Sequence, residues 1–399
     1  MNSKVFKFLN VHICILSIIC VSPVLYAIYN VPRSSGTILS TIFVFLLSLG
    51  ELKNIKFKLK NLLLFLFLFL YIFIQSIFFL FDDNLLKPIS SVFGIFLIFT
   101  SCYLFALKLS HFNDEEIYTC LKSILFLLII LGWVSVLFGG YLPNFGFEKY
   151  VFPFTEQSHY ALTVGFLSII LGYYDKKLCL FILVNTLLQA LIFPNLTFLI
   201  FFVLEFLVFY YSKNKTLFYV MFIPLAMLSI FLFQFIPQEK LFYFSDRVDF
   251  DSSSTNQTAL VYAQGIDDAF RALKETKGYG LGFQMAGTDK PGDYGYAIYN
   301  IAGNFLNRED GGFLASKIIT EFGVLGILFI CIYLLKFSKN LSGILKVFNN
   351  KSFNFFSIAV VAFFVELFVR GTGYFSSQVV LIIVFFFLSK FRNNKQWSI

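Results

Sequence analysis

Charge is what this sequence has least of. Asp, Glu, Lys and Arg make up 14% of its 399 residues, where a soluble domain carries about 25%. With a mean hydropathy of +0.79, that scarcity excludes a water-soluble globular fold. Period-two alternation is missing as well: the apolar runs are continuous and about twenty residues long, which excludes a β-barrel. Six cysteines (14, 20, 102, 120, 179 and 331) lie in or beside apolar segments with no CxxC pair, so neither a disulfide framework nor a zinc site is indicated. The first apolar segment lacks a small-residue cleavage site and reads as a retained helix, not a signal peptide. Histidine is also rare, three in all, which narrows the search for an acid or base.

What is abundant is phenylalanine, 58 residues, within long apolar runs. Twelve predicted spans cover about 8–29, 36–52, 61–81, 88–107, 122–139, 157–174, 178–194, 196–212, 217–236, 313–335, 352–370 and 373–390, each near the ~20 residues that cross a bilayer. The expected fold is an all-α polytopic membrane protein. Nine helices occupy 1–236, one large, partly helical loop 237–312, and three helices with a tail 313–399.

The net charge of +8 lies mostly in short turns, which argues against a nucleic-acid partner. Nineteen basic residues, from Lys4 and Lys7 through Lys53, Lys108, Lys176 and Lys213 to Lys336 and Lys395, fall on the N-terminal side of this topology. The positive-inside rule then makes both termini cytoplasmic and the large loop external. Eighteen of those nineteen are Lys, whereas Arg33, Arg247, Arg271, Arg308 and Arg370 are all assigned to the outer side. Arginine offers a planar fork of donors suited to phosphate oxygens.

Inside the loop, 255–276 reads as a helix with Ile266, Phe270 and Leu273 on one apolar face. "SSSTNQ" supplies N-caps, and Gly278 ends the helix at C′. The Gly/Tyr/Asp-rich stretch from there to Gly303 reads as irregular and mobile. Two readings of "GYGLGF" stand. In one, Gly278, Gly280 and Gly282 make a cap and a turn; in the other, they let backbone N–H groups approach a ligand beside Arg271.

Four stretches resemble the O-antigen polymerase (Wzy) family, within the wider group that includes O-antigen ligases. They are the Arg-x10-Gly spacing of Arg271 and Gly282, "FTEQSHYAL" (154–162, with Gln157 where the family has Pro), "DGGFLASKIITEFGVLG" (310–326) and "ELFVRGTGYF" (366–375). The resemblance implies a GT-C-like fold and a metal-independent glycosyltransferase without a cofactor. Its substrate would be undecaprenyl-pyrophosphate-linked oligosaccharide, polymerised at the outer face of a Gram-negative inner membrane beside a Wzz-type chain-length regulator. An O-antigen ligase shares that chemistry. A flippase is the alternative of another class, but the sequence has no clear internal repeat and its polar chemistry clusters at the outer face.

Such a reaction needs positive charge for the departing diphosphate and a base for the acceptor hydroxyl. Arg33, Arg247, Arg271, Arg308 and Arg370 are the candidates for the first, with Gly282 beside them. Glu156 and His159 are three apart at the start of the sixth span, so they share a face and are the candidates for the second. The bland reading makes Glu156 a helix-dipole carboxylate and His159 an interfacial residue. For Glu366 and Arg370, four apart on one helix face, two readings stand: an ion pair that makes insertion tolerable, or Glu366 positioning Arg370 while Gly371 and Gly373 open space beside it for the diphosphate. Lys317 and Glu321, again four apart on one helix, read as a simple pair, and Glu205 as either a neutral acid or an interhelical hydrogen bonder.

Overall fold

The computed structural model describes residues 3–55, 66–67, 69–75, 86–138, 151–192, 195–211, 254–346 and 354–396. Arg247, the predicted span 217–236 and most of the predicted span 61–81 lie outside the described residues. Among the described residues helix is the only extended secondary structure, with one isolated bridge between Val151 and Phe154. The helices are α1 (Ser3–Tyr29), α2 (Arg33–Ser48), α3 (Leu86–Leu109), α4 (Asp114–Phe138), α5 (Gln157–Tyr174), α6 (Lys176–Ile192), α7 (Leu196–Phe206), α8 (Gln257–Glu275), α9 (Asp293–Ala302), α10 (Leu314–Lys346), α11 (Phe355–Ala362), α12 (Phe364–Phe368) and α13 (Ser377–Gln396).

Among the described residues, five helical segments are long and apolar enough to cross a membrane: Val5–Tyr29, Arg33–Asn54, Lys87–Leu109, Asp114–Leu137 and Leu314–Leu345. Their outward faces carry exposed Phe6, Leu46, Phe93, Leu137, Phe329 and Leu335. Water would not tolerate such a surface, whereas hydrocarbon does, and the protein is membrane-embedded. Helix α5 is the exception. From His159 to Tyr173 every residue is buried, so this helix is the centre around which α4, α6, α7 and α11 pack. Gly165 and Gly172 on α5 make room for the rings of Phe201 and Phe209, where a Cβ would sit 2.3 and 2.2 Å from ring carbons. Glu205 is fully buried and accepts a hydrogen bond from Thr186 Oγ1 (3.3 Å), which ties α7 to α6 and matches the interhelical-bond reading of this position.

The predicted spans 313–335 and 352–370 are both interrupted. Helix α10 breaks at Gly323 (φ 57°, ψ −130°), and Phe363 separates α11 from α12. The loop also departs from expectation. Helix α8 starts at an N-cap Asn256, whose side chain accepts from Thr258 N and Ala259 N. Its buried face is Ala259, Leu260, Ala263, Asp268, Ala269 and Ala272, while Ile266 and Phe270 are exposed. Small residues let α8 lie close to its neighbours, so the larger Ile266/Phe270 stripe is left outside. Lys277, with φ 54°, takes the left-handed C′ position, and Gly278 is C″. The bonds Lys277 N to Lys274 O and Gly278 N to Leu273 O complete a Schellman cap. The stretch expected to be irregular contains α9, stopped by Gly303 at φ 70°. Its Ile298 packs on Leu260 and Val261 of α8. Tyr262 seats α8 on the bundle, stacking on Phe313 (4.5 Å) and donating to the Phe368 carbonyl (3.1 Å).

Candidate functional site

Helix α5 begins at Glu156, whose backbone is extended (φ −135°, ψ 141°) and whose side chain makes no capping bond. The carboxylate turns instead to Ser158 Oγ (2.9 Å) and to Arg370 Nη2 (2.8 Å). His159, in the first turn, is 8% exposed, and its Nε2 lies 3.8 Å from Glu156 Oε2. Arg33, the first residue of α2, brings Nη1 to the same His159 Nε2 at 3.1 Å and Nη2 to Thr155 Oγ1 at 3.1 Å. Its guanidinium rests 4.8 Å from the Tyr26 ring centroid. Four of the residues singled out from sequence, Arg33, Glu156, His159 and Arg370, thus meet although they come from three distant parts of the chain.

Arg370 reaches this place because its helix fails. Helix α12 ends at Phe368, so the expected Glu366–Arg370 pair, which needs continuous helix, does not form. Glu366 accepts from the Thr372 backbone N–H (3.3 Å) and steadies the non-helical return, while Arg370 pairs with Glu156, 214 positions away. Burial alone would raise the Glu156 carboxyl. The guanidiniums of Arg370 and Arg33, with the Ser158 hydroxyl, oppose it and hold Glu156 below the usual carboxylate range.

Beside the quartet is a cavity of about 50 Å³ between α1, α2, α5 and the start of α13. Its wall is rich in hydroxyl and amide groups, among them Ser22, Thr37, Thr155, Thr163, Ser377 and Gln378. Gln378 Nε2 donates to Thr163 Oγ1 (2.9 Å), which donates to the His159 carbonyl (3.1 Å). That volume has room for a few waters or one small polar group. Sequence reasoning missed Thr155, Thr163 and Gln378, because isolated Thr and Gln within apolar runs carry no spacing signal.

Arg271 and Arg308 belong to a different assembly. Arg271 Nε bonds Asp267 (3.1 Å), its Nη2 bonds Asp268, and its Nη1 bonds the Lys290 carbonyl and lies 3.2 Å from Asp289. Arg308 is 6% exposed and meets Asp289 (2.9 Å), Asp268 (3.5 Å) and the Gly287 carbonyl (3.1 Å). Two guanidiniums and three carboxylates thereby hold the segment 287–308 against α8. Burial, joined by the charge of Asp289, raises Asp268 to about 6 against the pull of Arg308 and Arg271. Burial likewise raises Asp289.

Gly282 and its neighbours are committed too. The break at Gly323 deprives the Thr320 and Glu321 carbonyls and the Val324 N–H of their helical partners. Leu281 N donates to Thr320 O (2.8 Å), Gly282 N to Glu321 O (2.9 Å) and Val324 N to Gly278 O (2.8 Å). Gly280 (φ 82°) sits where a Cβ would be 2.5 Å from Glu321 O. The cap-and-turn reading of "GYGLGF" therefore accounts for its glycines, and two of its amides are spent on α10. Lys317 and Glu321 approach to 3.7 Å as expected, with Lys317 Nζ also donating to Glu309 O (2.6 Å).

Among the described residues no three His, Cys, Asp or Glu side chains gather in a metal-holding arrangement. Comparison with protein-family models, with curated proteins and with solved structures returns no match, so the quartet of Arg33, Glu156, His159 and Arg370 is read from its own geometry.

Proposed function

We propose that this chain is a lipid-linked glycosyltransferase that polymerises undecaprenyl-pyrophosphate-linked oligosaccharide units into O-antigen or a related surface polysaccharide. The proposal includes twelve spans, a GT-C-like fold, cytoplasmic termini and a site facing the periplasm of a Gram-negative inner membrane, where a chain-length regulator is the expected partner. The observation that supports it best is the buried imidazole that meets the Arg33 guanidinium and lies beside the Arg370-paired Glu156 carboxylate, with Arg33 and His159 lining a hydroxyl-rich cavity.

The roles follow from the chemistry. A diphosphate is already a good leaving group, so the main demand is charge stabilisation, which Arg370 and Arg33 supply without reorganising a water shell. A sugar hydroxyl of the incoming unit attacks the anomeric carbon of the growing chain and gives its proton to His159 Nε2. The carbon–oxygen bond to the diphosphate breaks, and the lipid diphosphate leaves with the bonding pair. Glu156 stabilises the resulting imidazolium.

The test is a gene deletion followed by gel analysis of the lipopolysaccharide. Core carrying a single repeat unit is the expected result. Bare core would point instead to a ligase, and an unchanged ladder would end the proposal. In the complemented strain, His159→Ala is expected to remove long-chain polymer while leaving the protein in the membrane.

A further inference from the structure

Arg33 differs from the other described arginines of the sites above. Arg271, Arg308 and Arg370 each meet a carboxylate, whereas no described carboxylate lies within 4 Å of the Arg33 guanidinium. What holds it is neutral: an imidazole nitrogen, a threonine hydroxyl and the face of Tyr26. A guanidinium has donors and no acceptor. The 3.1 Å contact therefore fixes its direction, with Arg33 donating and His159 Nε2 accepting through its lone pair. The imidazole is then neutral, carries its proton on Nδ1, and has the lone pair that a base would use already engaged.

We infer that Arg33 masks His159 until a diphosphate anion enters between Arg33 and Arg370 and draws the Arg33 guanidinium away, exposing Nε2. This inference rests on the proposed function and adds a regulation to that site: the base is released by the donor substrate's own leaving group. The energetics favour the exchange. Arg33 gives up one bond whose acceptor is a neutral nitrogen for bonds to phosphate oxygens in which both partners are charged. Glu156 remains at 3.8 Å from Nε2 to receive the imidazolium once a hydroxyl has given up its proton. Without a diphosphate, water in the cavity meets no free base.

The test needs no turnover. The full-length protein in nanodiscs is treated with diethyl pyrocarbonate, and carbethoxylation is mapped by peptide mass spectrometry. His12 and His111 serve as internal references for folding and reagent dose. His159 in Arg33→Gln is expected to react about tenfold faster than in the wild type, the population factor of one charge-assisted hydrogen bond. Thr155→Val, which removes an Arg33 anchor but not the bond to Nε2, is expected to react at the wild-type rate, which separates unmasking from general loosening. Inorganic pyrophosphate or farnesyl diphosphate is expected to accelerate the wild type and not Arg33→Gln. Acceleration by both assigns the recognition to the diphosphate, and by the second alone to a diphosphate with its lipid. Equal rates in wild type and Arg33→Gln, or a wild type slowed or unmoved by both anions, would overturn the masking. Full-length polymer persisting in His159→Gln would instead remove the proposed function and leave the masking standing.

Discussion

Two arginine clusters built from the same side chains have opposite characters. In the loop, Arg271 and Arg308 face three aspartates and two backbone carbonyls, so their charge is answered and most of their donors are occupied. At the start of α5, two arginines stand near a single carboxylate: half-exposed Glu156 bonds Arg370 and Ser158 but makes no ion pair with Arg33. The first arrangement is a fastening: a buried guanidinium surrounded by aspartates has little left for a ligand. The second leaves positive charge beside a cavity. Electrostatic surplus, more than the presence of arginine, distinguishes a site from a strut.

Paired substitutions probe this difference most strongly. Arg370→Ala is expected to lower polymer formation by about 10²–10³-fold, the scale of losing one charge-stabilising donor, with the melting temperature in detergent nearly unchanged. Arg271→Ala is expected to do the reverse in kind. It leaves buried Asp268 and Asp289 short of a cation, costs about 3 kcal/mol locally, and opens 257–308 to limited proteolysis. Adding Asp268→Asn to Arg271→Ala should restore both protease resistance and polymer. Restored folding without polymer would move Arg271 into the site.

Gly280→Ala comes next in size. The left-handed backbone and the 2.5 Å approach of a Cβ to Glu321 O should cost about 1–3 kcal/mol, read as a lowered melting temperature. A wild-type melting temperature would show that the seam between the loop and α10 yields freely.

The smallest effect separates the clusters by pH. Asp268 has a folded pKa of about 6, above its ordinary 3.8. Its contribution to stability is therefore complete below pH 4 and lost as the pH rises through 6. Glu156 is shifted the other way, so its contribution is present above the ordinary carboxylate value and lost only on strong acidification. Between pH 7 and 5, hydrogen-exchange protection across α8 and α9, corrected for intrinsic rate, should rise by about 1–2 kcal/mol. The first turn of α5 should not change.

Much of this architecture is legible in the sequence because hydrocarbon demands long apolar helices, and because residues three apart in a helix share a face, as Glu156 and His159 do. The cap at Asn256 and the stop near Gly278 are local signals and are read correctly to within one position. Long-range facts are not legible. Nothing near Arg370 announces that its partner is Glu156, and the expected partner Glu366 fails only because α12 stops at Phe368. The three loop aspartates look like ordinary solvated charges until the chain folds them around Arg271 and Arg308. Helix α9 escapes notice because Gly and Tyr suggest a coil, although Gly303 is its left-handed stop.

The seam between the glycine loop and α10 has a consequence for how the chain tolerates change. Residues 278–282 are bonded to 320–324, and Gly311 is pressed against Lys317, where a Cβ would lie 2.8 Å away. The stretch between these two attachments leaves α10 and returns to it within about one and a half turns of the same helix. Lengthening that stretch adds little closure entropy and moves neither attachment. Insertions between Thr288 and Gly303 should therefore leave the register of α10 intact, whereas one added residue between Gly278 and Gly282 would misalign three backbone hydrogen bonds at once.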